Sequence, residues 1–224
     1  MDIQNKYMIN NNLYLDSELK FKKYSDIIEN SNKNNILSIK KFSNQGKQGI
    51  AGIADISGCN CVYKVSQNIN YIAKHEFEIM KSLTEMKEYC PHFCKVYDII
   101  SKKINGNYKK QKNPFEITSK HPVNFDVILM EYIESPQFYS LIKNKQISNE
   151  LIFSIIKQLL LAVSIAQNKK RFSHYDLHSC NVMINKCDKN DVFLYILDDE
   201  NQFCIPTNGL YPKIIDFGFS FCED

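Results

Sequence analysis

The 224-residue sequence predicts an α+β protein of two small lobes. Three observations carry this reading. Between residues 36 and 66, short alternating runs are broken by glycine-containing turns; residues 69–89 change to helical spacing; and residues 148–167 make one long, largely apolar helix after two more strand-length runs. With 44% hydrophobic and 24% charged residues, the chain has enough apolar material for one good core or two smaller ones.

Residues 1–35, rich in Asn and Lys, space Leu13, Leu15, Leu19, Tyr24, Ile27 and Ile28 like one face of one or two short helices, an extension packing on the main body. From Ile36, ILSIKKFS reads as a strand, NQGKQG as a turn, AGIADIS as a second strand, SGCN as a tight turn and CVYKVS as a third, all antiparallel. Ile72, Phe77, Met80, Leu83 and Met86 then mark a helix that Pro91 ends. Residues 93–100 and 125–133 (FDVILMEYI) have strand length. The segment between them, with Lys102, Lys103, Lys109, Lys110 and Lys112, reads as a solvated hairpin loop in preference to a binding patch. Ser148 is the expected N-cap of the long helix through Gln167, whose Leu151, Ile152, Ile155, Ile156, Leu159, Leu160 and Val163 cover most of its circumference. A polar turn HYDLHSCN, a strand VMIN, the strand-like runs VFLYIL and QFCIP, and a final KIIDFGFS complete the chain.

Composition narrows the function. Twenty-eight basic against twenty-five acidic residues leave +3, and Arg171 is the single arginine. Lysine recognises phosphate or guanine poorly in the bidentate manner, so no specific nucleic-acid partner is expected. Eight cysteines without an apolar leader after Met1 read as reduced thiols of an intracellular, cytoplasmic protein. A zinc site from Cys59, Cys61, Cys90, Cys94 and His92 is the alternative, at spacings unlike those of common structural sites. Lys157 and Gln158 interrupt the longest apolar run, so no membrane partner is expected either.

The candidate chemistry lies in an ordered series of residues. Gly46, Gly49 and Gly52, between the first two strands, would let backbone amides approach phosphate oxygens, or they serve only a hairpin turn. A Walker-type loop is excluded, because Gln48 follows Gly46-Lys47 where Ser or Thr is needed. Lys64 alternates away from the side of Tyr63 and Val65, and Glu76 on the next helix can pair with it; the other reading is an exposed edge-strand lysine. Asp176 and Asn181 can project from one loop, the first to accept a proton and the second to bind a cation through its amide oxygen. Asp216, after a strand and before Gly218, suits a carboxylate at a sharp bend that holds Mg2+, an Asx-turn being the alternative for each acidic residue.

In that order, these residues resemble the signature set of eukaryotic-type protein kinases, with wording similar to the divergent kinases of large DNA viruses. The resemblance spans residues 36–218. It implies a five-stranded antiparallel N-lobe with one main helix over residues 36–132, a mostly helical C-lobe over 133–224, and residues 1–35 outside the family pattern. It also implies ATP and Mg2+ as cofactors, a protein substrate modified on serine or threonine, and, for a viral protein, a place in host cytoplasm or virion. Lys64 then meets the α- and β-phosphates with Glu76 as its helix partner, Asp176 takes the hydroxyl proton, and Asn181 and Asp216 hold magnesium. Met130 resembles the gatekeeper, with backbone groups of Glu131 and Ile133 facing adenine. Ala54, Val62 and Met183 enclose its ring, while His174, Phe217, Met80 and Val96 stack as an apolar spine.

The departures are specific. The glycine pattern is G-x-x-G-x-x-G, with Lys47 where the family's first glycine stands. Tyr175 replaces the arginine that receives a phosphorylated activation loop. His178 stands where most serine/threonine kinases carry the lysine that contacts the transferred phosphoryl group, and it also resembles small-molecule kinases. Thirty-four residues separate Asn181 from Asp216, which predicts an inserted β-hairpin, and six residues follow Gly218. The helices that complete the larger lobe in the family are therefore expected from a C-terminal segment or a partner covering the 148–167 helix. Phosphoryl transfer is the leading function; a nucleotide-binding or inert pseudokinase module, or a small-molecule kinase, are the alternatives.

Overall fold

The computed structural model describes residues 8–9, 37–42, 49–66, 70–104 and 123–223. Its elements are β1 (Met8–Ile9), β2 (Leu37–Lys41), β3 (Gly49–Ile56), β4 (Cys59–Ser66), α1 (Asn70–Thr84), β5 (Val96–Ile104), β6 (Val123–Glu131), α2 (Phe138–Lys143) and α3 (Asn149–Lys170). After a short 3-10 turn at Ser179–Asn181 come β7 (Val182–Lys186), β8 (Val192–Ile196), β9 (Gln202–Pro206) and β10 (Leu210–Ile214). The protein is thus a mixed α+β structure with antiparallel sheets. Its described residues fall into two compact units, one of residues 37–78 and 96–132, the other of residues 8–9, 79–95 and 133–223.

The first unit is a five-stranded antiparallel sheet of order β2-β3-β4-β6-β5. Its register is set by a two-residue turn between β3 and β4. Ser57 and Gly58 both have positive φ, 54° and 84°, which matches the twist of a tight hairpin, and Asp55 Oδ1 accepts from the Gly58 N–H at 3.1 Å. Counting back from the turn pairs Ile56 with Cys59, Ala54 with Cys61, Ile53 with Val62 and Ala51 with Lys64. Because directly paired residues share a face, Ala54, Cys61, Tyr63, Val65 and Leu129 lie on one side, where they pack with Ile56, Ile100, Phe125 and Val127. The opposite face presents Ile53, Val62, Lys64 and Met130, Val62 lying beside Met130 and Lys64 beside Ile128. Lys102 and Lys103, read as loop, belong to β5, opposite Phe125 and Asn124. Lys109, Lys110 and Lys112 lie outside the described residues.

In the second unit, β7 pairs with β10, and β8 pairs with β9 as the expected inserted hairpin. Residues 133–223 are not mostly helical, as the resemblance implied: among the described residues they divide between two α-helices and four strands, because the long stretch from Val182 to Ile214 is spent on two hairpin pairings. Met8 and Ile9 add a third strand, β1, beside Phe193 and Val192 of β8. The helical spacing from Leu13 to Ile28 lies outside the described residues.

Ser148 caps α3, its Oγ accepting from the Leu151 N–H at 3.3 Å. The helix runs three residues past Gln167 and stops where Arg171 turns left-handed at φ 48°. Its buried side carries two polar residues, each with a partner: Ser154 Oγ donates to the Pro206 carbonyl at 2.7 Å and Gln158 Nε2 to that of Leu210 at 3.1 Å. By length and composition alone α3 is long and apolar enough to cross a membrane, which corrects the expectation that no run would be. A third of its most apolar window is buried in the protein, while Phe153, Ile156 and Leu160 are exposed along another side.

Candidate functional site

In the five-stranded unit, Lys64 and Glu76 meet. Parity on β4 turns Lys64 away from the packed face, and Glu76 lies in the second turn of α1 on the side with Ala73 and Met80, which are buried. Lys64 Nζ stands 2.7 Å from Glu76 Oε1, and the glutamate side chain is only 3% exposed. A buried carboxylate needs such a partner, so the pair fixes the ammonium on this face of the sheet.

The neighbouring expected residues are placed unevenly. Val62 and Met130 share the Lys64 face. Ala54 does not: it is fully buried on the other face, one residue out of register with Val62, and Ile53 occupies the position proposed for it. Gly49 and Gly52 are residues of β3, paired with Ser66 and Tyr63, so they do not form a turn. Gly46 lies outside the described residues. Glu131 ends β6 opposite Cys61, and the Ile133 carbonyl accepts from the Ser135 N–H at 3.0 Å. Val96 pairs with Met130.

In the other unit, the loop 174–181 and the segment after β10 are joined by main-chain bonds. The Asn181 carbonyl accepts from the Ile215 N–H at 3.0 Å, and the Ile215 carbonyl accepts from His174 Nε2 at 3.2 Å. The other His174 nitrogen, Nδ1, accepts from the Asp176 N–H at 3.3 Å. These bonds give His174 a neutral imidazole protonated on Nε2. Burial pushes its pKa below the ordinary histidine value, against the Ile215 hydrogen bond and the nearby Asp216 and Asp176 carboxylates. Asn181 is buried, and its Nδ2 donates to the Asp176 carbonyl at 3.0 Å. With that nitrogen engaged, Oδ1 is the atom a cation would use. Asp176 keeps its carboxylate 42% exposed, within 3.8 Å of His178 Nε2. Met183 stands on β7 beside Lys213 and is bridged to Gln137, whose Nε2 donates to the Cys180 carbonyl at 2.9 Å and steadies the loop.

Two side chains here sit on strained backbone. Tyr175, 77% exposed, has φ 59°, and Asp216 has φ 66°. A left-handed conformation costs an aromatic residue about 1–3 kcal/mol and an aspartate less, and such positions concentrate at functional loops. The sharp bend expected at the Asp216 carboxylate is made by the positive φ of Asp216 itself.

His174 and Phe217 pack against each other, ring centroids 5.4 Å apart and planes tilted at 48°. Phe172 and Phe93, which the sequence reading passed over, complete that cluster at 6.3 and 6.4 Å from Phe217. Met80 is fully buried. Of the residues in the zinc alternative, His92 has both ring nitrogens engaged, with the Pro212 carbonyl and the Tyr195 hydroxyl. Among the described residues no group of three or more His, Cys, Asp or Glu could hold a metal ion.

No protein-family model matches the chain. It is 34% identical over 202 residues to uncharacterized protein 098R of Invertebrate iridescent virus 6, covering 73% of this chain and 33% of that protein. It is 26% identical over 200 residues to probable kinase 098L of Invertebrate iridescent virus 3, covering 88% of this chain and 34% of that protein. A probable serine/threonine-protein kinase of Dictyostelium discoideum is 30% identical over 133 residues, 59% of this chain and 17% of that protein. The chain spans about a third of the length of the two viral relatives.

Proposed function

We propose that this chain carries the core of an ATP- and Mg2+-dependent transferase that phosphorylates serine or threonine hydroxyls of a protein substrate. The observation that supports it best is the tying of Asp176, Asn181 and Asp216 into one hydrogen-bonded loop pair, in a chain that also fixes a lysine by a buried glutamate. The similarity to probable kinases supports the same reading.

The donor set fits magnesium: one carboxylate and one amide oxygen are hard ligands of the number this ion takes from protein when phosphates and waters supply the rest. Asp216 and Asn181 Oδ1 would hold it, and when bound it offsets charge on the transferred phosphoryl group. Lys64, kept in place by Glu76, meets the α- and β-phosphates as a fixed cation. Ile53, Val62 and Met130 offer the base an apolar face beside that lysine. Asp176, carrying an exposed carboxylate on an anchored loop, orients the acceptor hydroxyl and takes its proton as the oxygen bonds to the γ-phosphorus and the bond from that phosphorus to the bridging oxygen breaks, ADP leaving. His178 lies within 3.8 Å of that carboxylate, where it would stand beside the acceptor.

Melting curves and a transfer assay test this. ATP is expected to raise the melting temperature only with Mg2+, and Asp216→Ala to abolish the rise. Asp176→Asn is expected to keep the rise while lowering transfer about a thousandfold. An equal shift in EDTA removes the metal role; undiminished transfer in Asp176→Asn removes the base. Nucleotide binding with no transfer by the unaltered protein supports the pseudokinase module instead.

A further inference from the structure

The segment between α1 and β5 contains a wholly buried histidine that none of this chemistry uses. Residues 92–94 run beside β10: Phe93 bridges Ile214 in parallel, the Ile214 N–H donates to the His92 carbonyl at 2.7 Å, and the Cys94 N–H donates to that of Ile214 at 2.9 Å. The His92 ring adds a further tie. A carbonyl can only accept, so Nδ1, 2.8 Å from the Pro212 oxygen, carries the proton. Nε2 is then an acceptor, and the Tyr195 hydroxyl donates to it at 2.7 Å.

Tyr195 comes from the inserted hairpin. Along β8, burial alternates, and the inward residues are Phe193 and Tyr195. Tyr195 stacks on His92 with centroids 5.6 Å apart and planes at 18°, while Phe193 meets the same ring edge-on at 5.3 Å. Phe193 also packs edge-on against Tyr211 of β10, at 5.8 Å. A hairpin that only filled a gap in the sequence would not need two buried aromatics and a hydroxyl aimed at one imidazole. Past Pro212, β10 ends at Ile214, and the chain passes through Ile215, held by Asn181 and His174, to the left-handed Asp216.

We infer that the β8–β9 hairpin is a brace for β10, the strand that leads into Asp216, with Tyr195 and His92 as positioning residues acting through the Pro212 carbonyl. The consequence for metal binding rests on the function proposed above; the brace itself does not.

Tyr195→Phe keeps the ring and its stacking and removes only the donor to His92; Glu200→Gln, in the exposed turn of the same hairpin, is the control. The brace predicts that Tyr195→Phe accelerates amide hydrogen exchange at Lys213–Asp216 about tenfold. It also predicts about a tenfold rise in the Mg2+ concentration that gives half of the melting shift produced by a non-hydrolysable ATP analogue. Glu200→Gln should change neither. Exchange at those amides equal to that of the unaltered protein overturns the brace. If the unaltered protein shows no Mg2+-dependent shift with the analogue, the transferase reading falls, and exchange alone decides the brace.

Discussion

The two units hold their polar groups by different means. In the five-stranded unit, a lysine on a strand and a glutamate on a helix are fixed by regular secondary structure and then by each other. In the second unit, Asp176, Asn181 and Asp216 stand on loops, held by main-chain hydrogen bonds, a neutral histidine and backbone in left-handed conformations. The first arrangement stores its energy in one side-chain contact, and the second spreads it over many weak ones. Removing a charge should therefore have unequal consequences in the two places, large in the first and small in the second.

The largest effect on stability is expected where the contact is concentrated. Lys64→Met leaves Glu76 buried without its cation and should cost about 3 kcal/mol, whereas Asp216→Asn, on a half-buried residue whose backbone an asparagine also tolerates, should stay within about 1 kcal/mol. Urea unfolding of both variants decides it, and equal losses would erase the contrast.

A second test uses pH. Burial lowers the pKa of His92 to about 4, from an ordinary value near 6.5. The unfolded chain thus takes up a proton below pH 6.5 that the folded protein refuses. The stability linked to His92 is complete above that pH and is lost as the pH falls toward 4, on the order of 3 kcal/mol in all. His174, lowered by burial too, adds to the loss in the same direction. Urea titrations at pH 7, 5.5 and 4 should show a steeper loss for the unaltered protein than for His92→Gln; parallel curves would mean the imidazole is not held neutral.

The smallest expected effect is a gain. Tyr175→Asn places a residue that tolerates positive φ at the strained, exposed position and should raise the melting temperature by about 1–4 °C. No gain would show that the loop leaves the left-handed region at no cost.

Legibility in the sequence follows the same division. Lys64 and Glu76 could be paired in advance because strand parity and helical spacing are local patterns. The register of β3 and β4 was equally readable from the SGCN turn, and counting outward from Ser57-Gly58 places Ile53 with Val62. Ala54 was misplaced because its role came from the resemblance without that count. Gly49 was read within the NQGKQG turn because glycine suggests a bend, yet strand pairing holds it extended, as it does Gly52 in the strand AGIADIS. The His92–Tyr195 contact joins residues 103 apart, and no periodicity connects a histidine after a proline to a tyrosine in a distant hairpin. A bend at Asp216 was legible from its place between a strand and Gly218, but not that a non-glycine residue would make it with positive φ.

The pairing of Met8 with Phe193 also sets an order of assembly. At a synthesis rate of about 5–20 residues per second, roughly 10 to 40 s separate the appearance of β1 from that of its partner strand. Over a similar interval, His92 waits for both Tyr195 and Pro212. The sheet bearing Lys64 has all its strands once Glu131 emerges, whereas the Asp216 strand finds its supports only near residue 214. A nascent chain therefore completes the cationic sheet first and the anionic loops last. The two-residue length of β1 keeps the strand left waiting too short to template pairing with other chains.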